Sequence, residues 1–364
     1  MTLSGVFVDD QEPQYAKLLS TREELVFEFV PVGPVLALAN KIMAARPAIL
    51  ALDYRLDENA SDVDPNETYK AGVLAQQLRD RASTDPSVDL PIVLVSNETK
   101  IQNLYLPDKT AHDLFDRVYR KEEIEEKRPA IRRQMIALAT GYGALRDAGG
   151  KYRAQELLNR DDAGDLLHQQ DIAAAFSKAS APHTLAKFIL KGLIDHAGVL
   201  VDDADAAARL GIDKPSFERL AADDKMQHCR YTGLFGEGWR RWWLDALLDW
   251  AEGILGVRPI SLRNVDRAQK LSAALELPLN PAPSPWTGKP DEAAALACAS
   301  CREATEIRHS VAAYAPTPLR FTIRPRICWD CIQTDRYRER AQPLFVDDAD
   351  AELAESVKTR HRDA

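Results

Sequence analysis

A chain of 364 residues, 45% hydrophobic and 28% charged, is long enough for two or three domains and apolar enough to give them cores. Its formal net charge of -9 argues against whole-chain affinity for nucleic acid or an anionic membrane, although a local basic module remains compatible with it. No stretch approaches the roughly 18–20 continuous apolar residues of a membrane span, and the opening MTLSGVFVDD lacks the basic start and apolar core of a signal peptide. A cytoplasmic protein is therefore expected, with its five cysteines as thiols or metal ligands rather than disulfides.

GVFV (5–8) reads as a short buried strand that stops on two adjacent carboxylates, Asp9 and Asp10. Residues 12–20 read as a helix, ELVFEFVPV (24–32) as a second strand and GPVLALANKIMAARP (33–47) as a second helix. PAILALDYRL (47–56) is a third strand ending at Asp53, and YKAGVLAQQLRDRA (69–82) has apolar residues at helical spacing. LPIVLVSNE (90–98) gives a fourth strand ending at Ser96, and LFDRVYRKE (114–122) a fifth ending at Lys121, with a long charged helix from about Glu122. Strands alternating with helices predict an α/β fold, a doubly wound five-stranded parallel sheet with its ligand site beyond the carboxyl ends of the strands.

Those ends carry Asp9, Asp10, Asp53, Ser96 and Lys121. Clustered carboxylates repel one another, and a hard divalent cation such as Mg²⁺ offsets that repulsion while leaving room for a phosphate oxygen. With VDD (8–10), LDYRL (52–56), AGVLAQQLR (71–79), VLVSN (93–97) and YRK (119–121), the stretch from about residue 3 to 145 resembles the flavodoxin-like receiver domains of two-component response regulators. The resemblance implies that Asp53 accepts a phosphoryl group from the phosphohistidine of a histidine kinase. It also implies that Asp10, Asp53 and the Arg55 carbonyl ligate Mg²⁺, with Asp9 acting mainly through water. Ser96 would hydrogen-bond the phosphoryl group and Lys121 would pair with it. The chain departs from the family pattern in three places. Glu122 follows Lys121 where receivers usually have a proline, Val118 stands at the aromatic switch position, and an acidic insertion, DENASDVDPNE (57–67), follows Asp53.

DAGGKYR (147–153) marks a break after the receiver-like segment, set at 1–146, and a helical domain is expected over 153–280. HTLAKFILKGLIDHAG (183–198) and EGWRRWWLDALLDWAEGILG (237–256) read as helices. In the second, Trp239, Trp242, Trp243, Ala246, Leu247, Trp250 and Ile254 form one face, expected to be core. DADAAARLGIDKPSFERLAADD (203–224) has a helix–turn–helix pattern, but its acidic surroundings favour packing over DNA reading. His228 and Cys229 are adjacent without an identifiable third partner, so Cys229 is expected to be a buried structural thiol. YTGLFGEG (231–238) is glycine-rich but lacks the lysine and hydroxyl of a phosphate-binding loop.

LPLNPAPSPWTGKP (277–290) reads as a semi-rigid proline-rich linker. CASC and CWDC place Cys298, Cys301, Cys328 and Cys331 in two C-x-x-C pairs separated by 26 residues, the pattern of a closed structural Zn²⁺ site. EIRHSVAAY (306–314) and LRFTIRPRI (319–327) are expected to form a hairpin, and CWDC to open a helix. The resulting module, 291–341, resembles a treble-clef finger, with a zinc ribbon as the alternative. Over 302–340 eight arginines oppose five acids, a local charge of +3 that nucleic acid or a solvated face would equally explain. Residues 342–364 read as a polar, partly disordered tail.

The leading expectation is a response-regulator-like signalling protein, phosphorylated on Asp53 and passing the signal through protein contacts of the helical and zinc modules to an unidentified output partner. Two other readings stand beside it: a DNA-binding regulator using the zinc module, and a non-phosphorylated adaptor that docks a partner ATPase or kinase-like protein, as in a bacterial phage-defence locus. Outside the receiver-like segment no nucleophile–base set or open metal site is evident, so an enzyme is not expected.

Overall fold

The computed structural model describes residues 2–58, 64, 68–162, 170–314, 322–339 and 344–360. Five parallel strands lie in the order β2-β1-β3-β4-β5, namely β1 (Leu3–Val8), β2 (Leu25–Val30), β3 (Ile49–Leu52), β4 (Ile92–Ser96) and β5 (Arg117–Arg120). This is the flavodoxin-like doubly wound order, with its crossover between β1 and β3. The central strands β3 and β4 are buried along their whole length. Burial on both faces demands continuous apolar runs rather than alternation, and ILAL and IVLVS are such runs. Edge strand β2 instead alternates, with Val26 and Glu28 exposed. In β1, a Cβ on Gly5 would meet the Phe27 ring at 2.7 Å, so glycine is what lets the neighbouring strand's aromatic lie across it.

Helices α1 (Gln14–Leu19), α2 (Val35–Ala45), α3 (Ala71–Thr84), α4 (Glu98–Lys100) and α5 (Ile124–Asp147) connect and follow the strands. α3 buries Ala71, Leu74, Ala75, Leu78 and Ala82, the three- and four-residue spacing that faces a sheet. Between β4 and β5 there is no long helix. The three residues of α4 continue into a π-helical turn, Ile101–Tyr105, and later a 3-10 turn, Lys109–Ala111.

At the amino-terminal edge of the sheet, the buried Arg79 of α3 donates to Asp89 and Asp116 (2.9 Å each) and to the Leu90 carbonyl (2.8 Å). Tyr142 of α5 donates to Asp116 at 2.6 Å, and the His183 backbone N–H to Asp89 at 2.7 Å. Burial opposes the charge on Arg79, but Asp116 and Asp89 outweigh it and hold the guanidinium above its ordinary range. This ionic staple lies at the opposite end of the strands from Asp9, Asp53 and Ser96, and fixes the sheet that positions them.

The chain divides into two compact units: one runs as far as Lys191 and includes Thr232–Trp239; the other comprises Gly192–Tyr231 and the chain from Arg240 onward. In the first, the glycine-rich loop owes its glycines to close packing, since a Cβ on Gly233 would lie 2.6 Å from the Leu158 backbone. In the second, helices Asp203–Leu210, Lys214–Ala221, Leu244–Leu255 and Asn264–Leu275 surround Phe217, Trp242, Leu247 and Leu271. The turn between the first two holds Gly211 at φ 71°, where a Cβ would also press on the Asn264 backbone at 3.0 Å.

Three expectations need correction here. The tryptophan stripe is not one helix face. Trp239 falls in the first unit, Trp242 and Trp243 form a strand paired with Leu200–Val201, and the helix begins only at Leu244. Trp242 and Trp243 are nonetheless core residues, and Trp242 packs edge-on against Phe217 at 5.5 Å. The proline-rich segment is not a free linker. Leu279, Ala282, Ser284 and Trp286 are buried, and the Ala282 N–H bonds the Gly211 carbonyl at 3.0 Å. The polar tail is folded over 344–360: Phe345–Val346 pairs with Ser310–Tyr314, and helix Ala351–Lys358 buries Ala354 and Val357. Of the expected 306–314/319–327 hairpin, Ser310–Ala312 pairs antiparallel with Arg326–Cys328, while 315–321 lie outside the described residues. Among the described residues no helix is long and apolar enough to cross a membrane.

Candidate functional site

The carboxyl ends of β1, β3, β4 and β5 converge as the parallel topology requires. Asp53 follows β3 and is held by its own N–H on the Val8 carbonyl at 3.0 Å. Its side chain is buried and fully engaged. Oδ1 accepts from Ser96 Oγ at 3.0 Å and lies 3.0 Å from Lys121 Nζ; Oδ2 accepts from the Arg55 N–H at 3.0 Å and from Lys100 Nζ at 3.3 Å. Lys121 also donates to Asp9 Oδ2 at 2.7 Å and Glu12 Oε2 at 2.6 Å, so one ammonium ties the β1 acids to the β3 acid. Asp9 Oδ1 accepts the backbone N–H groups of Gln11 (2.8 Å) and Glu12 (3.0 Å), which fixes the turn out of β1. Asp10 is partly buried beside this turn. Arg55 turns its guanidinium to Asp57 at 2.5 Å and Glu58 at 3.6 Å. Asp57 is the main cause of its raised pKa, with Asp10 a smaller one.

Burial opposes the charge on Lys121, but Asp53, Asp9 and Glu12 outweigh it and raise the lysine well above its ordinary range. Lys100 behaves the same way: burial lowers its pKa, and Glu58 and Asp53 more than restore it. Asp9, Asp53, Ser96 and Lys121 are thus brought into one contact network, with the Arg55 backbone beside it. Lys100, Glu12 and Glu58 are not in the sequence-derived set. The Asn97 side chain caps the turn that aims Lys100, accepting its N–H at 2.8 Å. An asparagine directly after the strand-end serine, with a lysine three residues later, was the available signal.

Glu122, at the position receivers give to proline, accepts the Glu98 N–H on both carboxylate oxygens (3.0 and 3.1 Å). Arg120 meets Glu98 at 2.5 Å. The loop after Ser96 and the loop after Lys121 are therefore cross-tied. Val118 packs against the apolar layer that contains Leu94 and Phe115.

The second candidate centre is the four-cysteine cluster. The Sγ atoms of Cys298, Cys301, Cys328 and Cys331 all lie within 4.8 Å of one another, and no disulfide joins them. Cys301 and Cys328 are 3.8 Å apart, matching the spacing of about 3.8 Å that four thiolates have when each lies at about 2.3 Å from one tetrahedral zinc. The first pair lies on the turn between Leu296–Ala297 and Ala304–Thr305; the second opens helix Trp329–Gln333. Cys298 Sγ accepts the N–H groups of Ser300 (3.3 Å) and Cys328 (3.2 Å). Mutual hydrogen bonds split the four thiols, lowering Cys298 and Cys331 and raising Cys301 and Cys328. Four sulfurs gathered at this spacing, with backbone N–H support at Cys298, make a set that could hold zinc.

The basic interval is internally neutralised where it is described. Arg302 meets Asp202 and Asp205, Arg308 meets Glu292, and Arg324 meets Asp347. Arg326 lies by Asp350, Arg336 by Asp330 and Arg338 by Asp335. Arg320 and Arg340 lie outside the described residues. In the helix–turn–helix segment Asp203 and Glu218 share Arg240, while Lys214 meets Glu303. Cys229 is buried with His228 Nε2 at 3.4 Å, and burial pushes its thiol up to about 12.

No protein-family model matches the chain, and no curated protein matches it in sequence. Among solved structures, it aligns with the response regulator LqsR of Legionella pneumophila at 12% identity and a TM-score of 0.28, covering 48% of this chain and 57% of that one. It also aligns with a fusion carrying a yeast Spc42 trimeric coiled-coil segment, at 13% identity and a TM-score of 0.29, covering 48% of this chain and 94% of that one.

Proposed function

We propose that the amino-terminal unit is a receiver-type signalling domain in which Asp53 accepts a phosphoryl group from a phosphohistidine donor. The observation that carries this reading is the placement of Ser96 Oγ and Lys121 Nζ on the same oxygen of Asp53, at 3.0 Å each. In the transfer, an Asp53 oxygen forms the new O–P bond as the donor's P–N bond breaks and the imidazole departs with a proton. Lys121, already on Asp53, stabilises the charge that builds on the phosphoryl oxygens, and Ser96 turns its hydroxyl from the carboxylate to the added group. The acyl phosphate carries about -1.5 to -2 charges in place of the carboxylate's single one. Ser96 leads into Asn97 and Glu98, so its movement strains the Glu98–Glu122 tie and shifts the loops around β4 and β5.

The donor set suits Mg²⁺: Asp9, Asp10, Asp53 and the Arg55 carbonyl offer hard oxygens only. When bound there, the ion would neutralise carboxylate charge and coordinate a phosphoryl oxygen. Zn²⁺ in the cysteine cluster would hold the small carboxy-terminal module together, and protein contacts carry the output. The neutralised arginines do not favour nucleic acid as partner.

A second reading has one observation in its favour. Lys100 fills the remaining side of Asp53, as a permanent docking module for an ATPase or kinase-like protein would allow. Beryllofluoride, a phosphoryl mimic, separates the two. With Mg²⁺ present, ¹⁹F NMR of the parent should show a protein-bound fluoride signal that Asp53→Asn abolishes. A folded parent without that signal would leave the docking reading.

A further inference from the structure

Beside the cysteine cluster, in the same unit, lies a second group of metal-ligating side chains. Glu306 and His309 flank the turn between strands Ala304–Thr305 and Ser310–Tyr314, and Glu292 precedes Leu296–Ala297. One ligand atom from each of the three lies within 4.8 Å of the others. Glu306 is only 3% exposed, and among the described residues neither of its side-chain oxygens has a hydrogen-bond partner. His309 Nδ1 lies 3.5 Å from Glu306 Oε2 and is likewise without a hydrogen bond. The Glu292 side chain is buried and, among the described residues, pairs with Arg308, whose own side chain is largely exposed.

Two buried carboxylates this close, one without any donor, are costly unless a cation lies between them. Arg308 compensates Glu292 from the solvent side and does not bond Glu306. The imidazole is held in place from behind: its ring packs on Trp329 at 5.1 Å, and its backbone carbonyl accepts the Trp329 N–H at 2.9 Å. The ring is thus fixed where its ligand atom lies within 4.8 Å of one oxygen of each carboxylate. The geometry points to a second metal site, formed by Glu292, Glu306 and His309, for a divalent first-row ion of the Zn²⁺ or Mn²⁺ type.

One imidazole nitrogen and two carboxylate oxygens are a harder set than four thiolates, and suit ions that the cysteine cluster does not select. Three protein ligands also leave a coordination position for water or a partner's side chain, which the closed four-cysteine shell does not. Trp329 stands between Cys328 and Cys331 in sequence, so the two centres share one supporting ring.

The test is metal stoichiometry of the full chain, desalted from zinc in a buffer with excess Mg²⁺, for the parent, Glu306→Gln and His309→Gln. The parent should retain one zinc more than either variant. Cobalt substitution identifies which is lost: the thiolate-to-cobalt charge-transfer bands should stay in both variants, which also shows that the module has folded. If either variant fails to fold, the other still gives the count. Equal zinc in the parent and the folded variants would overturn the site.

Discussion

Replacing Lys100 by methionine keeps most of the unbranched stem and removes a charge 3.3 Å from Asp53 Oδ2 and 2.9 Å from Glu58. The lysine side chain is 15% exposed, so solvent screens it incompletely. A unit charge within about 5 Å of a divalent ion repels it by about 1.5–2 kcal/mol even at the dielectric of water. The variant should therefore bind Mg²⁺ about tenfold more tightly than the parent. The fold loses two charge-assisted contacts, to Asp53 and to the part-exposed Glu58, while Asp53 keeps Ser96, Lys121 and the Arg55 N–H, which costs about 2–3 kcal/mol. Calorimetric titration of Mg²⁺ into zinc-loaded parent and variant reads the first number, with Asp53→Asn as the baseline; urea unfolding reads the second. Unchanged or weaker Mg²⁺ binding in a folded Lys100→Met variant would refute the idea that Lys100 competes for the cation's place at Asp53.

Arg79→Met should destabilise the first unit by about 3–5 kcal/mol, because it leaves Asp116 and Asp89 buried without the guanidinium they share, Asp89 retaining His183; a urea midpoint within experimental error of the parent's would count against the ionic staple. Cys229 should resist a maleimide at pH 8 in the native protein and react on unfolding. Since its folded pKa is raised from 9.0 to about 12, the unfolded chain ionises first as pH rises, and stability should fall between about pH 9 and 12. Cys229→Ala should remove that part of the alkaline slope. Stripping zinc should unfold the module around the cysteines, because metal binding worth about 10–16 kcal/mol exceeds what so small a core supplies. The near-ultraviolet signal of the Trp286–Trp329 pair, 5.4 Å apart, should collapse; a metal-free chain that keeps it would refute the structural role.

The parallel sheet was legible because β1, β3 and β4 are apolar runs that stop on polar residues, and the side chains that close a parallel sheet's strands meet at one edge. The cysteine cluster was legible because C-x-x-C spacing is itself a local geometry. Lys100 was not, since its reach to Asp53 depends on how the short turn after Asn97 is aimed across the sheet. Glu292 and Glu306 lie on different strand ends, and only the folded hairpin brings them to His309. The tryptophans misled because Trp242, Trp243, Ala246 and Trp250 fit a helical period, yet two of them pair as a strand against Leu200 and Val201. In the proline-rich segment, backbone hydrogen bonds to Gly211 and the burial of Trp286 override a composition that otherwise suits a linker. The tail's helix rests on Ala354 and Val357, too few apolar residues to stand out in a polar context.

Intact mass after incubation with Mg²⁺ and a small-molecule phosphodonor, run beside Asp53→Asn, tests the central assignment most directly. The assignment predicts a single adduct of one phosphoryl group, about 80 Da, on the parent, absent from the variant and lost under mild alkali as an acyl phosphate is. A folded parent that gains no mass while a receiver control does, or an adduct that persists in Asp53→Asn, would contradict it.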